Sequence, residues 1–239
     1  MRPGRTPVEL RLAPGEIVGL YGLVGAGRSR LLKTIWGARR ANAGRVSVAG
    51  RPLPPHSIGA ALGAGLAFVP EDRRAEGLVL GLSVAGNLSL PALRTFRRWP
   101  WLAWLSPGRE KGFAHEIGRR LAIRFATPGQ RVGTLSGGNQ QKVLVGRWLR
   151  RPLSVLLLDE PTRGVDIRTK ADLHAALRDL AAQGTAILFA TGDLEELLDL
   201  SDRIGLLREG GWAGTLAGEE RTAQAVLSRL FDTTLDAAA

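Results

Sequence analysis

The sequence contains no cysteine, one tyrosine, one methionine and only four lysines among its 239 residues. Without cysteine there are no disulfides, thiolate metal sites or thiol nucleophiles, and a reducing compartment is permitted. Long apolar runs are missing too. The longest candidate, residues 58–69, is rich in glycine and alanine and stops at Pro70, short of the roughly 18 residues a membrane helix needs. The opening residues, MRPGRTPVELRL, lack the apolar core of a signal peptide. Scarce lysine also changes how the net charge of +11 is read, because nearly all of it rests on arginine. The arginine pairs (39–40, 73–74, 97–98, 119–120, 150–151) are scattered rather than gathered into one arm. A nucleic-acid partner is therefore not expected, and a place near anionic lipid headgroups suits the charge better. With 44% hydrophobic and 23% charged residues, the composition excludes disorder and coiled coil and fits a globular chain of one large or two small domains.

Short apolar runs alternate with helical patterns. Glu16 to Tyr21 reads as a strand running into a glycine-rich turn and then a helix, LLKTIWGA. Further strands are expected at residues 45–49, 65–70, 155–158 and 186–190, and a closing hairpin at 203–208 and 212–216. Helices are expected at 169–182, 194–200 and 222–231. From about Glu71 to Arg151 strand runs give way to helix-like stretches such as 112–125, and Trp99, Trp101 and Trp104 cluster beside Pro100 and Pro107. The reading is a single α/β domain over residues 1–239. Its largely parallel sheet is built from 1–70 and 152–239, with a mainly helical part inserted at 71–151.

Three motifs carry chemistry. GLVGAGRS, Gly22 to Ser29, fits the phosphate-loop pattern G-x-x-x-x-G-K-[ST] except that Arg28 stands in the lysine position. Such a loop points backbone N–H groups at phosphate oxygens. A plain glycine-rich strand-to-helix turn would account for it equally well. VLLLDEPT ends a buried strand in Asp159 and Glu160, at the carboxyl edge where α/β sheets bind ligands, although two acids could also cap the next turn. LSGGNQQKV, Leu135 to Val143, is a Ser-Gly-Gly turn opening a helix: a second anion site, or only a capped helix start. Order and spacing decide between these readings, with the glycine loop first, then the helical insertion, LSGG and the DEPT strand.

Together the motifs resemble the ATP-binding-cassette (ABC) ATPases, a P-loop NTPase fold with an inserted helical subdomain, along nearly the whole chain. More finely, AFVPEDRRAEGLVLGLSVAGNLSL, LSGGNQQKV and DEPTRGVD are similar to the second, carboxyl-terminal cassette of tandem importer ATPases for ribose, galactose or xylose. The resemblance implies ATP and Mg²⁺ as ligands. Gly22, Gly25, Ala26, Gly27, Arg28, Ser29 and Leu31 would bind ATP, and Ser29 and Asp159 would hold Mg²⁺. Glu160 would polarise the attacking water, Glu71 would occupy the Q-loop position and Asp166 the D-loop. Leu135, Ser136, Gly137, Gly138 and Gln140 would reach a partner's ATP. Gly192 falls where a switch histidine belongs, and none of His56, His115 and His174 lies near that strand end. Lys33 is expected to be an exposed helix residue, not a substitute for the loop lysine.

Arg28 and Gly192 in one site imply a cassette that binds nucleotide and hydrolyses it poorly. Residues 1–20 carry Tyr, Phe or Trp nowhere, so the amino end is expected to be abbreviated and the adenine-stacking aromatic missing. The implied setting is the cytoplasmic face of the inner membrane. The implied partners are a second cassette with an intact phosphate loop, a sugar permease and, indirectly, an extracytoplasmic sugar-binding protein. A non-catalytic nucleotide-binding scaffold is the alternative. An ABC ATPase of DNA repair is disfavoured by the short insertion.

Overall fold

The computed structural model describes residues 8–41, 43–99, 101 and 104–231. Residues 1–7, part of the stretch lacking aromatics, and Pro100 of the tryptophan cluster lie outside them. In chain order the elements are β1 (Ile17–Tyr21), α1 (Arg28–Ile35), β2 (Ser47–Val48), β3 (Arg51–Pro52), α2 (Ile58–Gly63), β4 (Leu66–Val69), α3 (Val84–Ser89), α4 (Pro107–Arg120), α5 (Gly137–Gly146), β5 (Val155–Asp159), α6 (Ile167–Ala182), β6 (Ala186–Ala190), α7 (Leu194–Leu200), β7 (Arg203–Arg208), β8 (Gly211–Ala217) and α8 (Ala223–Phe231). They fall into two compact units. The first takes the chain up to Phe68, Ser154–Glu160 and the chain from Leu180 onward; the second takes Val69–Leu153 and Pro161–Asp179.

The first unit is built on a six-stranded sheet in the order β4-β5-β6-β1-β7-β8. β5, β6, β1 and β7 pair in parallel, and β8 returns antiparallel to β7. The α/β fold expected from the alternating runs is the fold observed. β6 is buried along its whole length and β1 and β5 at all but one residue each, which is why these strands are continuous apolar runs instead of alternating ones. Register then sets the geometry of the functional edge. Leu20 pairs with Ala190, and Ala190 with Asp159, so β1, β5 and β6 end side by side. The segments that follow them (the glycine loop, Asp159–Glu160 and Thr191–Gly192) leave from one edge. Glu16, just before β1, receives two bonds from Arg203 of β7 at 2.7 and 3.1 Å.

The second unit is helical. α3, α4 and α5 pack around Val84, Leu88, Phe96, Phe113, Ile117 and Leu144, with Phe96 and Phe113 rings 5.5 Å apart. Buried Asn87 accepts from the Val79 amide and donates to the carbonyls of Val79 and Ser83, fastening the loop before α3. The helix expected at 112–125 begins earlier, at Pro107, and stops at Arg120, because the chain turns at Ala122 with φ 48° and Ile123 bonds back to Gly118. The tryptophans of the cluster are exposed, Trp101 by 77% and Trp104 by 69%, and are not core.

Candidate functional site

Within the first unit, the loop after β1 has the backbone that a phosphate cradle requires. Gly25 and Gly27 sit at φ 83° and 97°, where a side chain is strained. A Cβ on Gly22 would lie 2.3 Å from the Leu207 carbonyl oxygen. Ala26 is buried and bonds to Leu23 O, and Leu31 N bonds to Gly27 O as α1 begins. No side chain caps α1 and no acid stands in its first turn, so no carboxylate of the helix's own takes its first amides.

Ser29 Oγ donates to Asp159 Oδ1 at 2.9 Å, while Asp159 Oδ2 is buried with no partner. Burial pushes the Asp159 carboxyl above the usual aspartate range, against the Ser29 bond, and the Glu160 charge raises it further. A hydroxyl beside an orphaned, desolvated carboxylate oxygen fits a hard divalent cation such as Mg²⁺, which takes few protein ligands and completes its shell from water and phosphate. Lys33 departs from expectation. It is only partly exposed, and its charge favours ionised Asp159, because α1 carries it back over the end of β5.

Glu160 follows at φ 49°, a left-handed conformation uncommon for a side-chain-bearing residue, held by its N–H bond to Ala190 O at 2.8 Å. Both of its carboxylate oxygens are taken. Oε1 meets Arg28 Nη2 at 3.0 Å, and Oε2 accepts from the Gly192 amide at 3.1 Å. The other Arg28 nitrogen, Nη1, donates to the Thr191 carbonyl. The Arg28 and Glu160 side chains are only 14% and 18% exposed. Thr191 is fixed in turn by its hydroxyl, which donates to buried Glu196 at 2.6 Å.

The second unit holds the remaining expected residues. Ser136 caps α5, accepting from the Asn139 amide at 3.4 Å and from its side chain at 2.9 Å. Gln140 is buried and donates to Leu135 O at 3.0 Å and Val132 O at 3.3 Å, so it supports the turn from beneath. A Cβ on Gly137 would meet Arg73 Nη2, and one on Gly138 would meet Thr169, each at 2.6 Å. Asp166 accepts from the Thr169 amide and hydroxyl, bonds that hold its carboxyl below the usual range. Glu71 pairs with Arg163, whose carbonyl accepts from Arg73 at 3.2 Å. Reading the sequence missed the parts played by Arg73, Arg163, Thr191 and Glu196. All four lie inside or beside the quoted motifs, but spacing along the chain does not say which acid or carbonyl each will meet.

The glycine loop, the strand-end acids and the Ser-Gly-Gly turn fall on residues 6–163, and over that span the sequence matches the family model described as ABC transporter. The chain belongs to the ABC transporter family. It is 43% identical over 226 residues to the ribose import ATP-binding protein RbsA 2 of Streptomyces coelicolor, covering 95% of this chain and 43% of that protein. It is also 43% identical over 227 residues to the arabinose import ATP-binding protein AraG of Shigella boydii serotype 4, covering 95% of this chain and 45% of that protein. The chain thus spans less than half the length of these relatives. Among solved structures, a nucleotide-free ATP-binding cassette from an ABC transporter superposes with a TM-score of 0.77 at 21% identity, covering 92% of this chain and 87% of that one. A dimeric cassette, MJ0796, bound to ADP and Pi gives 0.74 at 23% identity and 88% coverage of both chains. The cassette fold is therefore shared well beyond detailed sequence similarity.

Proposed function

We propose that the chain is the ATP-binding cassette of a sugar importer, akin to the carboxyl-terminal half of a tandem ATPase. Its own phosphate-loop site is impaired, and its Ser136-Gly137-Gly138 turn completes the ATP site of a second cassette with an intact phosphate loop. The names of its relatives, ribose and arabinose import proteins, support the sugar class. The observation that carries the impaired site is the Arg28–Glu160 ion pair.

The reading runs from the residues. Loop amides between Gly22 and Ser29 cradle the phosphates, while Ala26 and Leu31, whose amides bond to Leu23 O and Gly27 O, hold the shape of the loop. Ser29 and Asp159 would hold Mg²⁺, which would supply charge neutralisation to the bound phosphates. Glu160 is the residue that would orient an attacking water, but its two oxygens are already bonded to Arg28 and Gly192. Gly192 offers no imidazole to the γ-phosphate. Glu71 and Asp166 serve the Q-loop and D-loop positions, and Leu135 and Gln140 shape the turn that faces the partner. The exposed tryptophans of the helical unit suit docking on a permease. Among the described residues no helix is long and apolar enough to cross a membrane, so attachment would be peripheral, at the cytoplasmic face, through that permease. A sugar-binding protein outside would act through the permease.

A module that binds nucleotide and never assists turnover is the second reading, favoured by the same ion pair. Phosphate release from the purified chain with Mg·ATP tests the impaired site. The expected rate is at least about a hundredfold below that of a cassette carrying the usual lysine and histidine, the scale of losing one transition-state donor. A normal rate, abolished by Glu160→Gln, overturns the proposal.

A further inference from the structure

Arginine at position 28 and glycine at position 192 are one feature of the structure, not two independent losses. A Cβ built on Gly192 would sit 3.5 Å from Glu160 Oε1 and 3.6 and 3.7 Å from the two terminal nitrogens of Arg28. A methyl group fits there in ordinary contact, and a side chain branched at Cβ would crowd the ion pair. The Arg28 guanidinium therefore lies in the space beside position 192, where it bridges the carboxylate at the end of β5 and the carbonyl at the end of β6. Lysine would need both acceptors to converge on its one nitrogen. It is a single point of charge, whereas the guanidinium is a planar fork whose two ends bond to Thr191 and Glu160 at once.

We propose that Arg28 reads the terminal phosphate at this site from the space beside Gly192, and that without nucleotide Glu160 latches it. The inference rests on the reading that this loop binds nucleotide. Glu160 supplies one carboxylate to the fork. Its Oε1 takes Nη2 alone, and a γ-phosphate, which offers more charge, competes for that nitrogen. A nucleoside diphosphate lacks that terminal phosphate and competes less strongly. The site therefore distinguishes triphosphate from diphosphate by how far each opens the latch, without needing to hydrolyse either one. The Thr191 carbonyl, held in place by the Thr191–Glu196 bond, keeps the arginine extended toward β6 when the carboxylate lets go.

The test is calorimetric titration of the purified chain with Mg²⁺ and either ADP or a non-hydrolysable ATP analogue. Glu160→Gln removes the competing charge and should tighten analogue binding about tenfold, the worth of one charge-assisted hydrogen bond, while changing ADP binding less than about twofold. Arg28→Met should weaken analogue binding by a similar factor and erase the gain from Glu160→Gln when the two are combined. Gly192→Val, whose branched side chain crowds the ion pair, should lose the preference for the analogue. If Glu160→Gln tightens binding equally with and without Arg28, the gain is relief of charge repulsion and the latch is wrong. If the unaltered chain binds both nucleotides and Glu160→Gln changes neither, the latch alone falls. If no variant binds either nucleotide, the nucleotide-binding reading falls and the latch with it.

Discussion

At the scale of single residues, Asp159 has one carboxylate oxygen bonded to Ser29 and the other buried without a partner. Burial raises its carboxyl above the usual range, so the folded state disfavours its charge. An acid raised in the folded state subtracts from stability at every pH above its unfolded value, and the loss is relieved as the pH falls through the folded one. Asp159→Asn should therefore stabilise the ligand-free chain at neutral pH by about 1 kcal/mol, a rise in Tm of roughly 2–4 °C. The same change should abolish the further stabilisation given by nucleotide that depends on Mg²⁺. Thermal melts with and without Mg·ATP check both, and a lower Tm for the ligand-free variant contradicts the account. The sequence told which acid ends the strand. It could not tell that Arg28 would turn to Glu160, because that choice depends on how β1, β5 and β6 align in register. Nor could it tell that Lys33 is partly covered and that its charge favours ionised Asp159, since an exposed and a half-covered lysine look the same in a short helix.

At the scale of elements, the strands buried on both faces were the plainest to read. β1, β5 and β6 are uniform apolar runs bounded by turns, and their pattern has no other use. In the run from residue 58 to 69 the strand was legible, expected at 65–70, but the helix before it was not. The run's apolar content is continuous, yet it holds α2, a turn at Ala64–Gly65 with φ 82° at the glycine, and then β4. Periodicity alone does not part a short helix from a strand. Gly146, in the last turn of α5, shows packing overriding helix propensity. Replacement by alanine should gain about 1 kcal/mol from propensity. A Cβ there, however, would lie 2.5 Å from Ile117 Cγ2 and 3.0 Å from Leu121 Cδ1. Overpacking of that kind costs about 1–3 kcal/mol. Gly146→Ala is expected to lower Tm by a few degrees; a rise would mean that α4 and α5 are loosely packed.

At the scale of the whole molecule, the cassette is asymmetric in its chemistry. Its phosphate-loop site has both catalytic-edge groups, Arg28 and Glu160, bonded to each other. Its Ser136-Gly137-Gly138 turn keeps the capped helix start and the close glycine packing that the motif calls for. On the reading proposed above, pairing with an unlike cassette would give one competent ATP site and pairing with itself none. Gly138 is a poor place to probe this, because any side chain there strikes Thr169 at 2.6 Å and would disturb the second unit directly. Ser136 is the better choice. It is exposed, and aspartate caps a helix as well as serine, so Ser136→Asp keeps the fold while setting a negative charge against the partner's phosphate. The measurement is the ATPase rate of a complex between this chain and a cassette carrying the usual lysine and histidine, with each variant compared against the unaltered chain. Ser136→Asp should reduce the rate at least about a hundredfold, and Arg28→Ala should change it less than about twofold. A mild Ser136→Asp together with a lethal Arg28→Ala would contradict the account.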